Sequence, residues 1–111
     1  MTKAAPKRAK AAPIFAALGD ETRLHIIARL CRDGPLAIVR LTDGSNISRQ
    51  AITKHLNALS DAGLVRSERT GRERIWKLET DQLAQASRYL EKISQEWDEA
   101  LGRLRAFVED D

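Results

Sequence analysis

A seven-residue apolar repeat near the end of the chain constrains its fold more than any other feature. Leu83, Ala86, Leu90, Ile93, Trp97, Ala100, Leu104 and Phe107 follow one another at alternating intervals of three and four residues. That alternation keeps one stripe on one side of a helix. At 1.5 Å per residue the stripe is roughly 38 Å long. The chain has 111 residues, enough for one core of ordinary domain size, and such a core offers little surface to cover a stripe of this length. A second copy of the chain is the economical partner. Leu83, Leu90, Ile93, Trp97, Leu101 and Leu104 are therefore expected at a dimer interface, and Ile14, Phe15 and Leu18 form a separate short apolar face near the start. The competing reading folds the whole stripe onto the protomer's own core.

Turn and cap signals divide the rest of the chain. Residues 1–13, rich in Ala, Lys and Pro, show no apolar period and are expected to be a disordered basic tail. Residues 14–111 are expected to form one domain. Asp20 caps a helix whose apolar stripe is read as Leu24, Ile27, Ala28 and Cys31, broadened by Ile26 and Leu30. Asp33-Gly34-Pro35 ends it. A short helix is expected over Leu36 to Thr42, closed by Asp43-Gly44. Ser48 caps the next helix, in which Ala51, Ile52, His55, Leu56 and Leu59 recur at helical spacing up to Gly63. Leu64–Arg69 and Glu73–Leu78 read as a two-stranded β-hairpin around Thr70-Gly71-Arg72. Thr80 caps the last helix, which carries the dimerisation stripe over about residues 81–107. The fold class is mainly α with a small β-hairpin: a helix-turn-helix followed by a two-stranded wing.

Charge bears on the partner. Residues 45–78 hold seven bases (Arg49, Lys54, Arg66, Arg69, Arg72, Arg74, Lys77) against three acids (Asp61, Glu68, Glu73). A basic patch on a nearly neutral body points to a polyanion at one face. Arg49, Gln50, Thr53, Lys54 and Asn57 lie away from the Ile52–Leu56–Leu59 stripe. Cation, amide and hydroxyl together can grip phosphates and address base edges. Arg69, Arg72 and Arg74 crowd the hairpin tip, a thin basic loop suited to a DNA backbone or minor groove. The candidate DNA-binding residues are these eight with Ser48 and His55. The alternative reading is a winged helix that binds protein without specific DNA contact. No Gly-rich phosphate loop, nucleophile–His–acid set or metal cluster points to an enzyme.

The ordered motifs resemble those of ArsR/SmtB-type regulators. Leu18-Gly19-Asp20-Glu21-Thr22-Arg23-Leu24 is similar to the opening "Leu-Gly-Asp-Pro-Thr-Arg-Leu" of that family. Ile47-Ser48-Arg49-Gln50-Ala51-Ile52-Thr53-Lys54-His55-Leu56 resembles its recognition helix, "Leu-Ser-Gln-Pro-Ala-Val-Ser-Arg-His-Leu". Ala62-Gly63-Leu64-Val65 and the segment Arg69–Arg74 follow in register. The resemblance covers roughly residues 14–104. It implies a winged helix-turn-helix homodimer joined through its first and last helices, which adds Ile14, Phe15 and Leu18 to the interface. It further implies that this dimer is bound to double-stranded DNA at a pseudo-palindromic operator, acting as a transcriptional repressor in the prokaryotic cytoplasm, in association with the nucleoid.

The family's metal chemistry does not carry over. Arsenical sensors have two thiolates in "Leu-Cys-Val-Cys-Asp-Leu", where this chain has Leu36-Ala37-Ile38-Val39-Arg40-Leu41. Zinc sensors of the family use His on the last helix, and residues 80–111 contain none. Neither a metal nor another cofactor is expected, and an effector, if any, is an unidentified small molecule or protein. Cys31 is read as a small buried hydrophobe, with a thiol pairing across the dimer as the alternative. No apolar run is long enough to cross a bilayer and residues 1–13 lack a secretory core, which leads to the expectation of a cytoplasmic protein. Trp76 and Trp97 are read as packing residues, His25 as a surface residue and Arg23 as the anchor of an ion pair.

Overall fold

The computed structural model describes the backbone of residues 4–109 and the side chains of residues 11–109. The chain runs α1 (Ala4–Leu18), α2 (Glu21–Asp33), β1 (Leu36–Ala37), α3 (Ile38–Thr42), α4 (Arg49–Asp61), β2 (Val65–Thr70), β3 (Glu73–Leu78) and α5 (Thr80–Glu109). This is the expected winged helix-turn-helix, with α3 and α4 as its two helices and β2–β3 as its wing.

Local chemistry explains most of the boundaries. The Asp20 carboxylate accepts from the Thr22 amide at 3.1 Å and starts α2. Gly34, at φ 79°, ends that helix with its amide bonded to the Leu30 carbonyl. Ser48 Oγ accepts from the Ala51 amide at 3.1 Å and opens α4. In the wing, β2 and β3 are joined by Gly71 and Arg72, and Gly71 takes φ 65°. A glycine of positive φ at the first central position gives a turn whose twist matches the strands, with Arg72 carried at the apex.

The core forms where α1, α2, α4 and the sheet meet. Ile14, Ile26, Leu56, Leu59, Leu64 and Val65 are fully enclosed, and Ala17, Ile27, Leu30, Leu36, Leu41, Ile52, Trp76 and Ala86 pack around them in the same cluster. Ile52, Leu56 and Leu59 anchor one side of α4 inward and so aim its other side outward.

Four expectations are corrected here. First, α1 is helical from Ala4, so residues 4–13 are not a disordered tail. Ala, Lys and Arg are strong helix formers, and Pro6 sits in the first turn, where the missing N–H costs little. Met1–Lys3 and Asp110–Asp111 lie outside the described residues. Second, Leu36–Ala37 is a strand rather than the start of a helix. Leu36 pairs with Trp76 and Ala37 with Ile75, which makes a three-stranded antiparallel sheet of order β1-β3-β2 instead of a lone hairpin.

Third, α2 buries Ile26, Ile27 and Leu30, while Leu24, Ala28 and Cys31 face outward. Cys31 is thus an exposed thiol, not a buried hydrophobe. Ile27, with Ile26 and Leu30 from the edge of the expected stripe, takes the inward face, and the stripe's small members Ala28 and Cys31 turn outward with Leu24. Fourth, Ile14 is 0% exposed and spent entirely in the protomer's own core, so it has no surface left for a dimer contact.

The last helix behaves differently along its length. Near its start, Ala86 is buried, Leu83 packs on the core, and Tyr89 meets Phe15 of α1 with ring centroids 6.1 Å apart. From Leu90 onward the apolar positions are open to solvent: Trp97 is 64%, Leu104 59% and Phe107 74% exposed. Thirty residues of helix span roughly 45 Å. The helix therefore outruns its own domain, and the molecule is 68 Å in its longest dimension.

Candidate nucleic-acid interface

Two elements present the exposed polar groups. On α4, Arg49, Gln50, Lys54 and Asn57 are exposed and Thr53 is half-buried. At about 100° per residue these five fall within an arc of about 140°. The Ile52–Leu56–Leu59 side is enclosed, so the five side chains form one continuous outer face. Ser48 is also exposed, but its Oγ is engaged as the helix cap. Thr53 Oγ1 donates to the Arg49 carbonyl at 2.9 Å, and its oxygen keeps lone pairs with which to accept.

The wing is the second element. Its strands alternate sides, so Arg66, Glu68, Lys77 and Ile75 share one face, and Val65, Ser67, Arg69, Arg74, Trp76 and Leu78 share the other. On the first face Lys77 Nζ lies 3.0 Å from Glu68, and Arg66 reaches Glu79 at 3.5 Å and Glu68 at 3.9 Å. The Lys77 hydrogen bond and charge hold the Glu68 carboxyl below the usual glutamate range. A depressed carboxyl supports the fold above its ordinary titration range, and that support is lost as pH falls through the lowered value. The pair is exposed and its contribution small.

The second face is free of acids. Arg69 stands directly opposite Arg74 in the ladder, and like charges in that relation repel. Arg74 Nη1 donates to Ser67 Oγ at 2.8 Å, which leaves its charge uncompensated. Arg49, Lys54, Arg69, Arg72 and Arg74 make no ion pair with another described residue. The hairpin thus keeps its acids on one side and bares three arginines at its tip. Such a surface favours an anion that can bridge neighbouring guanidinium groups.

His55 stands apart from these groups. It lies about 100° round the helix from Lys54, on the side toward α2. Its Nδ1 is 3.2 Å from Arg23 Nη1 and 3.8 Å from Asp20 Oδ2. The ring is engaged inside the protomer and is not grouped with the α4 surface residues. The sequence signal for this arrangement was the pair Asp20 and Arg23 at the start of α2. Arg23 forms the expected ion pair with Asp20, at 3.9 Å, but its bond to His55 depends on tertiary packing.

Among the described residues no group of three or more His, Cys, Asp or Glu side chains could hold a metal ion. Ala37 and Val39, where arsenical sensors carry thiolates, lie at the end of β1 and in α3. Within the same residues no helix is long and apolar enough to cross a membrane.

Comparison with known proteins agrees with this geometry. A helix-turn-helix domain family model matches residues 18–68, the segment from the end of α1 into β2. The HTH-type transcriptional regulator YuzN of Bacillus subtilis is 46% identical over 68 residues, covering 56% of this chain and 74% of that protein. An ArsR-like transcriptional regulator from Rhodococcus sp. RHA1 has a solved structure that superposes with TM-score 0.75 at 41% identity, covering 90% of this chain and 93% of that one. The homodimeric winged helix-turn-helix domain of Mycobacterium bovis Mb0332 shares the fold, with TM-score 0.66 at 21% identity over 86% of this chain and 88% of that one. By its fold and these relatives, the chain belongs to the ArsR/SmtB family of winged helix-turn-helix proteins, DNA-binding transcriptional regulators rather than enzymes.

Proposed function

We propose that the protein is a homodimeric repressor that occupies a pseudo-palindromic operator in the cytoplasm without a metal signal. One observation carries this reading. The outer face of α4 combines base-reading and phosphate-gripping side chains, beside a wing whose three arginines lack acidic partners. Arg49, Gln50, Thr53, Lys54 and Asn57 enter the major groove, while Arg69, Arg72 and Arg74 hold the flanking backbone. Residues 4–109 act as one DNA-binding unit that includes its own dimerisation helix. The exposed α5 seam, Leu90, Ile93, Trp97, Leu101 and Leu104, pairs with a second copy, flanked by Phe15, Leu18 and Leu83. A dimer of this kind sets two α4 helices about 34 Å apart, one turn of B-DNA.

Fragmented genomic DNA mixed with excess nonspecific competitor tests the proposal. Retention of a small, reproducible set of fragments supports specific binding. Retention of none, with the protein folded, leaves a protein-binding winged helix as the surviving reading.

Two substitutions separate gripping from reading. Arg72→Ala at the wing apex is expected to weaken retained and random duplexes alike, by about 3–10-fold, and to lower the salt slope by about two for a dimer. Gln50→Ala should instead relax the preference at one base pair of each half-site, a change of about 1–3 kcal/mol. Fluorescence anisotropy with single-base operator variants measures both.

A further inference from the structure

Arg23 joins three elements at one point. Its Nε donates to the Ala17 carbonyl near the end of α1. Its Nη1 lies 3.9 Å from Asp20 Oδ2 at the start of α2, and that same nitrogen donates to His55 Nδ1 of α4 across 3.2 Å. Asp20 Oδ2 is 3.8 Å from the same ring nitrogen. The three side chains keep only 21–26% of their surface exposed. The recognition helix is thereby tied through one guanidinium to α1, which also carries Phe15 and Leu18.

We propose that Arg23 and His55 are positioning residues for DNA reading, and that the Ala17–Arg23–His55 link holds only while the His55 ring is neutral. The proposal rests on the DNA-binding role given above and deepens it. A guanidinium carries only N–H donors, so the ring nitrogen facing it must present a lone pair. The proton of the neutral ring then sits on Nε2. The remaining attachment of α4 to the body is apolar, through Ile52, Leu56 and Leu59. Apolar contacts resist separation but set the roll of a helix less firmly than a directional bond does. The link fixes that roll, and with it the aim of Arg49, Gln50 and Asn57.

Protonation reverses the contact. Nδ1 becomes a donor, and two cations then face one another where a hydrogen bond stood. From α2 the ring faces Asp20 and Arg23, and from α1 the Ala17 carbonyl enters through Arg23. The charged ring turns to the Asp20 carboxylate, the one acceptor of opposite sign in the cluster. Asp20 is thereby drawn from Arg23, and α4 is freed from α1. Protonation of the ring is therefore expected to loosen the reading head.

The test uses a duplex selected by the native full-length protein from a random library at pH 8. Affinity is then measured from pH 8 to 5.5 for the native protein, His55→Asn and His55→Ala. The Asn amide oxygen offers an acceptor close to the place of Nδ1 without titrating. The native protein should lose about tenfold in affinity, about 1.4 kcal/mol. His55→Asn should change by less than about threefold, and His55→Ala should bind weakly throughout. Parallel pH profiles for the native protein and His55→Asn would overturn the inference. A measurement on the native protein alone guards against a misfolded variant. The nitrogen chemical shifts of the His55 ring at pH 8 should report the Nε2–H tautomer, and a proton on Nδ1 would equally overturn the link. If no duplex is selected at pH 8, the DNA-binding proposal falls instead.

Discussion

Replacing Trp97 and Leu101 together by Glu is expected to give a folded monomer that binds operator DNA at least about 100-fold more weakly than the native protein. Both side chains are open to solvent in the protomer, as are Leu90, Ile93, Leu104 and Phe107 along the same helix. The substitution therefore removes nothing from the protomer's own core, and its helical circular dichroism should be unchanged. In a dimer those positions lie in the packed seam, where a buried unpaired carboxylate is strongly unfavourable. Losing the second copy turns two linked half-site contacts into one, and linkage of this kind contributes about 10²–10⁴ in affinity. Sedimentation equilibrium together with operator titration checks both halves of the prediction. A monomer that keeps native affinity would show that α5 pairing is irrelevant to DNA binding. A dimer that survives both substitutions would place the interface elsewhere.

Operator affinity is expected to fall by about 10⁴ between 50 and 200 mM monovalent salt. Of the five cations that make no ion pair with another described residue, Lys54, Arg69, Arg72 and Arg74 of each protomer are assigned to phosphates and Arg49 to the groove. Two protomers thus bring about eight cations to the phosphates, and the logarithmic slope is about 0.9 per contact. Arg66 and Lys77 are already engaged by Glu68 and Glu79 on the opposite wing face, so they add little. A slope of two or less would mean that these side chains do not meet the backbone.

Much of this architecture was legible because local chemistry marks it. Asp20, Gly34, Ser48 and Gly71 carry helix and turn signals that act within a few residues, and the structure places each boundary close to them. The outward face of α4 followed from Ile52, Leu56 and Leu59 for the same reason, since helical period alone separates the two sides. What could not be read depends on partners distant in sequence. Leu36–Ala37 is a strand because Trp76 and Ile75 lie beside it, and two residues give no period of their own. On α2 the apolar stripe is wider than the side the helix buries. The choice of Ile26, Ile27 and Leu30 over Leu24, Ala28 and Cys31 depends on what α1 and α4 present to that helix.

The surroundings of Arg23 divide in the same way. Arg23 was readable as an ion-pair residue because Asp20 lies three positions before it. Its bond to His55 joins positions 32 residues apart and needs the packed fold. Ile14, expected at the dimer surface, shares α1 with Phe15 and Leu18, and one residue along a helix is about 100° of rotation. That rotation is enough to carry it inward. The Ala-rich start of α1 shows the opposite failure, in which absence of an apolar period concealed a strong intrinsic helix preference.

The central claim is that two copies of α4, spaced by the α5 seam, read two half-sites of one operator. Hydroxyl-radical footprinting of a retained genomic fragment tests it most directly. The account predicts two protected segments related by two-fold symmetry and centred about 10 base pairs apart on one side of the duplex. Flanking protection should disappear on Arg72→Ala. A single protected segment, or protection without symmetry, would contradict it.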